Sequence, residues 1–566
     1  MLLHVGLKAK KHYFPSLASK FAQISSEAIH AMTECVSNGD KITANSFEER
    51  QVLELMKQVN AVSSFVPSSS ASKAVQRSEL KALMINQGLP SFYVTINPSD
   101  VHNPLVRFLA GSDIDIDSVL PGEYDSFSQS MLVSKNPFTT AKFFNLYMQA
   151  FIQAILVYTP DLQKQKHEDG ILGKVKAYYG CVEAQGRGTL HCHMLIWIKG
   201  SLNLDEIKKC ILNNDEAFKQ RIIQFLDDMI SNHMPDDVQI PNQQPYHLCT
   251  IQRPPIPVAA ADPDSYVRKD HHLLVQQCQY HHHSATCYKY DIHSCHFDMH
   301  EGNYKPISCF DPTLGELTLR CLHGLVNNFN ETILDCIRCN MDIKFIGSGA
   351  SAKAILYYIT NYITKSQLKT HVAYAALELA MFKLGEYDPV DNDITFRAKW
   401  MLQRCTYAMI SHQELSAPQV VSYLMDYDEH FTSHKFVRFN WLSIERYVNN
   451  LSPLDPVAIA PEDNRSAPTD SIFDSQQTDS EFVADSELVE PPDEPPAYSS
   501  DVDNSMDIDM DAAHTIEDAA PNDSNPMSPD SILVQDDCVD DEEVVLHVDE
   551  ADNLIACTSL LQDYLH

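Results

Sequence analysis

The stretch KVKAYYGCVEAQGRGTLHCHMLIWIKG, Lys174 to Gly200, decides how the rest of the chain is read. Val175, Ala177, Tyr179 and Cys181 alternate with other residues, a turn signal follows at Gly186, Arg187 and Gly188, and a second apolar run reaches Ile198, which predicts a β-hairpin. A strand period of two puts His191, His193 and Leu195 on one face and Cys192, Met194 and Ile196 on the other. Two imidazoles one strand-step apart can grip one divalent ion, and Glu183 or Gln185 on the partner strand offers a third, oxygen ligand. Such N and O donors with open positions suit Mg²⁺ or Mn²⁺ acting as a Lewis acid on phosphate. The plain alternative is a pair of histidines at a strand end with no metal, since 25 histidines in 566 residues produce about one His-x-His by chance.

A second element lies far downstream in KAILYYITNYITKSQ, Lys353 to Gln367. Read as a helix, it stacks Tyr358 and Tyr362 on one face, with Lys365 on the same side. A phenol near its ordinary pKa of about 10 attacks poorly, so it needs a polarised phosphate or a nearby cation, and Lys365 can serve as that cation. An amphipathic helix packing these tyrosines into a core fits the same spacing.

Taken together, these pieces resemble the HUH endonucleases, in detail the Rep nuclease of Helitron rolling-circle transposons, the Helitron helicase-like domain. The matching segments are PSFYVTINPSDVHNPL (Pro90 to Leu105), EAQGRGTLHCH (Glu183 to His193), CNMDIKFIGSG (Cys339 to Gly349) and YYITNYITK (Tyr357 to Lys365), in that order, within about residues 45 to 445. The resemblance is faint before residue 85. It implies an α+β fold with a central antiparallel sheet flanked by helices, and an enzyme whose tyrosine attacks single-stranded DNA, leaving a 5′-phosphotyrosine and a free 3′-hydroxyl. His191, His193 and Gln185 or Glu183 would hold the ion, Tyr358 and Tyr362 would be the nucleophiles, and Lys365 their electrostatic helper. A DNA substrate implies a nuclear protein. A catalytically inactive transposon-derived fragment that binds DNA or protein is the competing expectation.

Charge divides the chain unevenly. Of its 77 acidic and 42 basic residues, 31 acids and one Arg lie from Leu451 onward, so that segment carries net −30 and the first 450 residues only −5. The pI of 5.0 therefore belongs to the tail, and the near-neutral remainder shows no basic signature for nucleic acid. Pro, Ser and Asp dominate the tail, which is expected to be disordered, apart from NLIACTSLLQDYLH as a short docking helix. No signal-peptide-like or membrane-length apolar run occurs, so an intracellular protein without a membrane partner is expected. Fifteen cysteines, an odd number, favour free thiols and metal ligands over a disulfide framework.

Five regions follow: a helical N-terminal accessory region (1–85), the first part of the nuclease core (86–250), a His/Cys-rich insertion (251–318), the second part of the core with the tyrosine helix (319–450) and the acidic tail (451–566). SFEERQVLELMKQV carries a capping box, PSFYVTINPSD is a strand closed by a turn, and NPFTTAKFFNLYMQAFIQAILVY is a helix buried under the sheet. Asn97, Asp100 and His102 fall at the end of the strand, as turn caps or as a contact for DNA. In the insertion, His281, His283, Cys287 and Cys295 have the spacing of one structural Zn²⁺ site, with Cys278 as a competing member and surface histidines with unliganded thiols as the alternative. The family shows a similar His-x-His, Thr-Cys and Cys-x-Phe pattern there, but Asp298 and Met299 depart from its usual apolar continuation. Gly347, Gly349 and Lys353 lack the Gly-Lys-Ser/Thr ending of a P-loop. The helicase of full-length Helitron proteins is thus not expected in this chain, and one acting in trans is a conceivable partner.

Overall fold

In the computed structural model, the described residues are 2–22, 24–38, 46–114, 126–158, 169–184, 188–200, 209–210, 213, 215–240, 253–258, 260–288, 293, 295, 297, 299–311, 317–346, 360, 370–385, 394–440, 543–548 and 554–555. The fold is mixed α and β. Among the described residues the strands of three residues or more are β1 (Phe92–Asn97), β2 (Val175–Ala184), β3 (Leu190–Ile198), β4 (Asn340–Phe345), β5 (His430–Thr432), β6 (Lys435–Asn440) and β7 (Glu543–Val548). The helices before β2 are α1 (Leu2–Ala9), α2 (Phe14–Phe21), α3 (Ser26–Ser37), α4 (Phe47–Ser63), α5 (Ser70–Gln87), α6 (Pro104–Leu109), α7 (Ser126–Lys135) and α8 (Pro137–Ala150). After β3 come α9 (Glu216–Met229), α10 (Pro263–Leu274), α11 (Glu331–Ile337), α12 (Thr370–Gly385), α13 (Ile394–Ser411) and α14 (Ala417–Leu424). Among the described residues no helix is long and apolar enough to cross a membrane, and the described cysteines are free thiols.

The expected hairpin forms as β2 and β3, antiparallel with Glu183 opposite His191 and Cys181 opposite His193. It lies inside a five-stranded antiparallel sheet of order β4-β1-β3-β2-β5. Strand alternation then sorts the two faces. Val94, Ile96, Cys192, Met194, Ile196, Met341 and Ile343 point into the main core, where Phe144 and Met148 of α8 and Phe151, Ile152 and Ile155 of the π-turn after it pack on them. The residues between them, including Tyr93, Tyr179, Cys181, Leu195 and Trp197, face the other way, and Leu80, Leu83 and Met84 of α5 cover part of that face. Burial of this kind contributes about 25 cal/mol per Å² of apolar surface, so both layers stabilise the sheet on which the histidines sit.

Helices α2, α3 and α4 form a separate apolar cluster, completed by α12 and α13 from more than 300 residues downstream. The capping box expected at Ser46 is present: its side chain accepts from the Glu49 N–H while Glu49 accepts from the Ser46 N–H. Helix α5, expected in the accessory region, instead joins the sheet, because its apolar stripe matches the uncovered face of β1, β2 and β3.

The insertion is clamped to the sheet by buried charge. Arg338, which ends α11 in a left-handed conformation (φ 50°), donates to both oxygens of Asp270 on α10 at 2.8 and 2.9 Å. Arg253 bridges Asp270 (3.2 Å) and Asp335 (2.9 Å). A buried charge is costly to leave unpaired, and the second guanidinium adds a further hydrogen bond to the Asp270 carboxylate.

One expectation about the tail needs correction. Within the segment expected to lack regular structure, Glu543–Val548 forms β7, which pairs antiparallel with β6, and Leu554–Ile555, expected in a short helix, pairs with β7 as an extended bridge. EVVLHV carries three valines and a leucine where its surroundings are acidic, so it can add to an open strand edge.

Candidate metal centre

Period-two alternation brings His191 and His193 to the same face of β3, and the register adds Glu183 from β2 beside them. The two Nε2 atoms face each other at 2.9 Å, and Glu183 Oε2 lies 3.8 Å from His191 Nε2 and 3.7 Å from His193 Nε2. Adjacent ligands of an octahedral Mg²⁺ site stand about 2.9–3.0 Å apart, so the imidazoles have the right separation and the carboxylate must advance by roughly 0.8 Å. Among the described residues this trio is one of two groups whose His, Cys or carboxylate atoms all lie within 4.8 Å of one another.

Burial sets the protonation. It pushes the His191 pKa down to about 4, partly offset by the Glu183 backbone, and pushes His193 well below the ordinary histidine value, with His191 and Lys344 adding repulsion. Both rings are therefore neutral at pH 7, the form that ligates a cation. Glu183 keeps a quarter of its side chain exposed, which leaves the centre open on that side.

Two residues not anticipated from the sequence hold the ring of His193. The Tyr93 hydroxyl lies 2.7 Å and the Thr95 hydroxyl 3.1 Å from its Nδ1. When Nδ1–H donates to one of them, Nε2 is left as the lone-pair atom aimed at Glu183 and His191, the arrangement by which outer partners orient a metal-binding histidine. The signal was there in PSFYVTIN, whose Phe92, Val94 and Ile96 go to the core and thereby send Tyr93, Thr95 and Asn97 to the histidine face. On the same face Asp342 and Lys344 of β4, 3.0 Å apart, stand opposite Thr95 and Tyr93. From α5, Lys73 pairs with Glu429 at 3.4 Å. Burial lowers the Lys73 pKa, but Glu429, followed by Cys181, Tyr423 and Glu183, more than offsets this, and the net direction is up.

Asn97 and Asp100 lie buried at the end of β1. One Asp100 oxygen accepts from the Val101 N–H at 2.8 Å, the other has no hydrogen-bond partner among the described residues, and burial raises its pKa to about 6. Gln185, Tyr357, Tyr358, Tyr362 and Lys365 lie outside the described residues, as do Gly347, Gly349 and Lys353, so the juxtaposition of tyrosines and histidines expected from the family is not described.

In the insertion, His281, His283, Cys287 and Cys295 come together as the second such group. Cys287 Sγ and Cys295 Sγ lie 3.4 and 3.5 Å from His281 Nε2, and the rings of His281 and His283 meet edge to face at 4.9 Å. Zinc bond lengths place N and S ligands of a tetrahedral site about 3.5 Å apart, so these donors fit Zn²⁺. Cys278 does not join them. It packs in the main core, where burial pushes its thiol up to about 12.

Residues 8–196 match the family model described as the Helitron helicase-like domain at N-terminus. The match begins in the N-terminal helices, where the resemblance was expected to be faint, and ends in β3, so it spans Tyr93, Thr95, Glu183, His191 and His193. No curated protein matches the chain.

Proposed function

From a chain that carries a Helitron helicase-like domain at its N-terminus, we propose a metal-dependent endonuclease and strand transferase for single-stranded DNA, built on an HUH-type core and working in rolling-circle transposition. The observation that carries this is the convergence of two buried, neutral imidazoles and a carboxylate within the matched segment. His191, His193 and Glu183 would hold Mg²⁺ or Mn²⁺, with Gln185 as an additional oxygen donor; when bound, the ion polarises the scissile phosphate. Tyr93 and Thr95 keep His193 in the ligating tautomer. The phenol of Tyr358 or Tyr362 gives its proton to water, its oxygen forms the new bond to phosphorus, the bond to the 3′ oxygen breaks, and that oxygen takes a proton from water to leave as a 3′-hydroxyl. Lys365 stabilises the phenolate, and the second tyrosine serves strand transfer. The His281, His283, Cys287 and Cys295 group would hold a structural Zn²⁺ that braces the insertion.

Incubation with an end-labelled single strand and Mn²⁺ should give a covalent protein–DNA adduct on a denaturing gel. The Tyr358→Phe, Tyr362→Phe double variant should give none, and His193→Ala should reduce it at least about a hundredfold, the scale of losing a charge-stabilising group. No adduct from the wild-type chain, or an undiminished one from the double variant, refutes the nuclease and leaves a DNA- or protein-binding domain.

A further inference from the structure

We propose that the solvent face of α13 is a second binding surface for single-stranded DNA, separate from the metal centre. Helix α13 is 18 residues long, ITFRAKWMLQRCTYAMIS. Ala398, Met401, Leu402, Cys405, Thr406 and Met409 are its buried side and pack in the helical lobe. At about 100° per residue, Phe396, Trp400 and Tyr407 fall within a narrow stripe on the opposite side. Phe396 and Tyr407 are half exposed, at 50% and 49%. The Phe396 and Trp400 rings stand 6.4 Å apart at 31°, and the Arg404 guanidinium lies 5.0 Å over the Trp400 ring. Phe396 and Tyr407 take no part in that core, and Trp400, half-buried, packs against it only in part.

Charge says what covers them. The helix carries Arg397, Lys399 and Arg404 and no acidic residue, in a chain of net −35. Arg397 and Arg404 lie along one edge of the aromatic stripe and Lys399 along the other. Rings flanked by cations are the two parts of a sequence-tolerant single-strand platform, bases stacking on the aromatics while the phosphates track the cations. Duplex DNA keeps its base faces stacked inside, so it cannot use the rings. A second copy of this cationic face is repelled by charge. From Phe396 to Tyr407 the stripe runs about 16 Å, room for a few nucleotides. That the polymer is DNA rests on the proposed function; the platform itself rests on the helix.

The test is fluorescence anisotropy of labelled oligothymidylate with the full chain in buffer without added Mg²⁺ or Mn²⁺, so that the metal centre contributes no ion-dependent binding. The Phe396→Ala, Tyr407→Ala double variant, both positions half exposed, should weaken binding at least about tenfold with an unchanged circular dichroism spectrum. Each of Arg397→Ala and Lys399→Ala should reduce the slope of log affinity against log salt by about 0.7. Oligothymidylate should also quench tryptophan fluorescence in the wild type more than in Trp400→Phe. Unchanged affinity in the double variant overturns the surface, as does a wild-type chain that does not bind, or a double variant whose only change is its sedimentation state. A folding defect in the double variant passes the decision to Phe396→Ala and Tyr407→Ala singly. Platform and nuclease are separable: covalent adduct with undiminished variant binding rejects the first alone, and lost variant binding without any wild-type adduct rejects the second alone.

Discussion

Replacing Asp100 by Asn should stabilise the protein at neutral pH and leave it unchanged in acid. Asp100 is 5% exposed, and one of its oxygens has no hydrogen-bond partner among the described residues. Burial raises its pKa from 3.8 to about 6. Raised in the folded state, the carboxyl is held best when protonated. Its contribution is fully present below pH 3.8, is lost as pH rises through about 6, and leaves a constant penalty above that. A gap of about two pKa units corresponds to about 3 kcal/mol at pH 7.5. The isosteric amide carries no charge and escapes the penalty, less whatever its new donors cost if unpaired. Urea denaturation of both proteins between pH 4 and 8 measures the difference, and common titrations elsewhere cancel in it. The midpoint of the variant should exceed that of the wild type at pH 7.5, with the gap closing toward pH 4. A gap of the same size at both ends, or a variant weaker at pH 7.5, would refute the claim that a buried charge at this turn costs stability.

Three other outcomes follow from the geometry. The Tyr93→Phe, Thr95→Val double variant removes both hydroxyls from His193 Nδ1 and should weaken Mn²⁺ binding by about 10- to 100-fold in titration calorimetry; Mn²⁺ affinity equal to wild type would show that they do not orient the ring. Arg338→Ala removes one of the two guanidiniums on the buried Asp270 and should cost about 3 kcal/mol, measured by urea denaturation, the low end of breaking a buried pair because the other guanidinium remains. Purified protein should carry about one equivalent of zinc by elemental analysis, lost together with structure around the insertion in Cys287→Ser; a metal-free chain with an unaltered fold would leave the quartet as free thiols and histidines.

What was legible in the sequence was local. The hairpin could be read because alternation and a Gly-rich turn leave few other conformations; the period put His191 and His193 on one face and left Glu183 or Gln185 as the third donor, and the register of β2 against β3 brings Glu183 beside them. Spacing also located the quartet around His281 but could not reject Cys278, since a ligand thiol and a core thiol look alike until the packing partners are known. Alternation in PSFYVTIN gave the face of Tyr93 and Thr95, but their meeting with His193 required the register of β1 against β3, a pairing about 100 residues apart that no local pattern signals. The association of α2, α3 and α4 with α12 and α13 was illegible for the same reason. Strand β7 was hidden by averaging, because three valines and a leucine vanish in the composition of an acidic tail.

That interlocked helical lobe has a bearing on biosynthesis. Ribosomes add roughly 5–20 residues each second, so α3 waits roughly 15 to 70 s after emerging before α12 exists to shield it. Through that interval Ile29, Val52 and Leu55 have no downstream cover, and a nascent chain in this condition invites chaperone capture. A fragment cut at the end of the family match would be fixed permanently at that stage, so recombinant work should retain the chain through α13 even when only the hairpin is of interest.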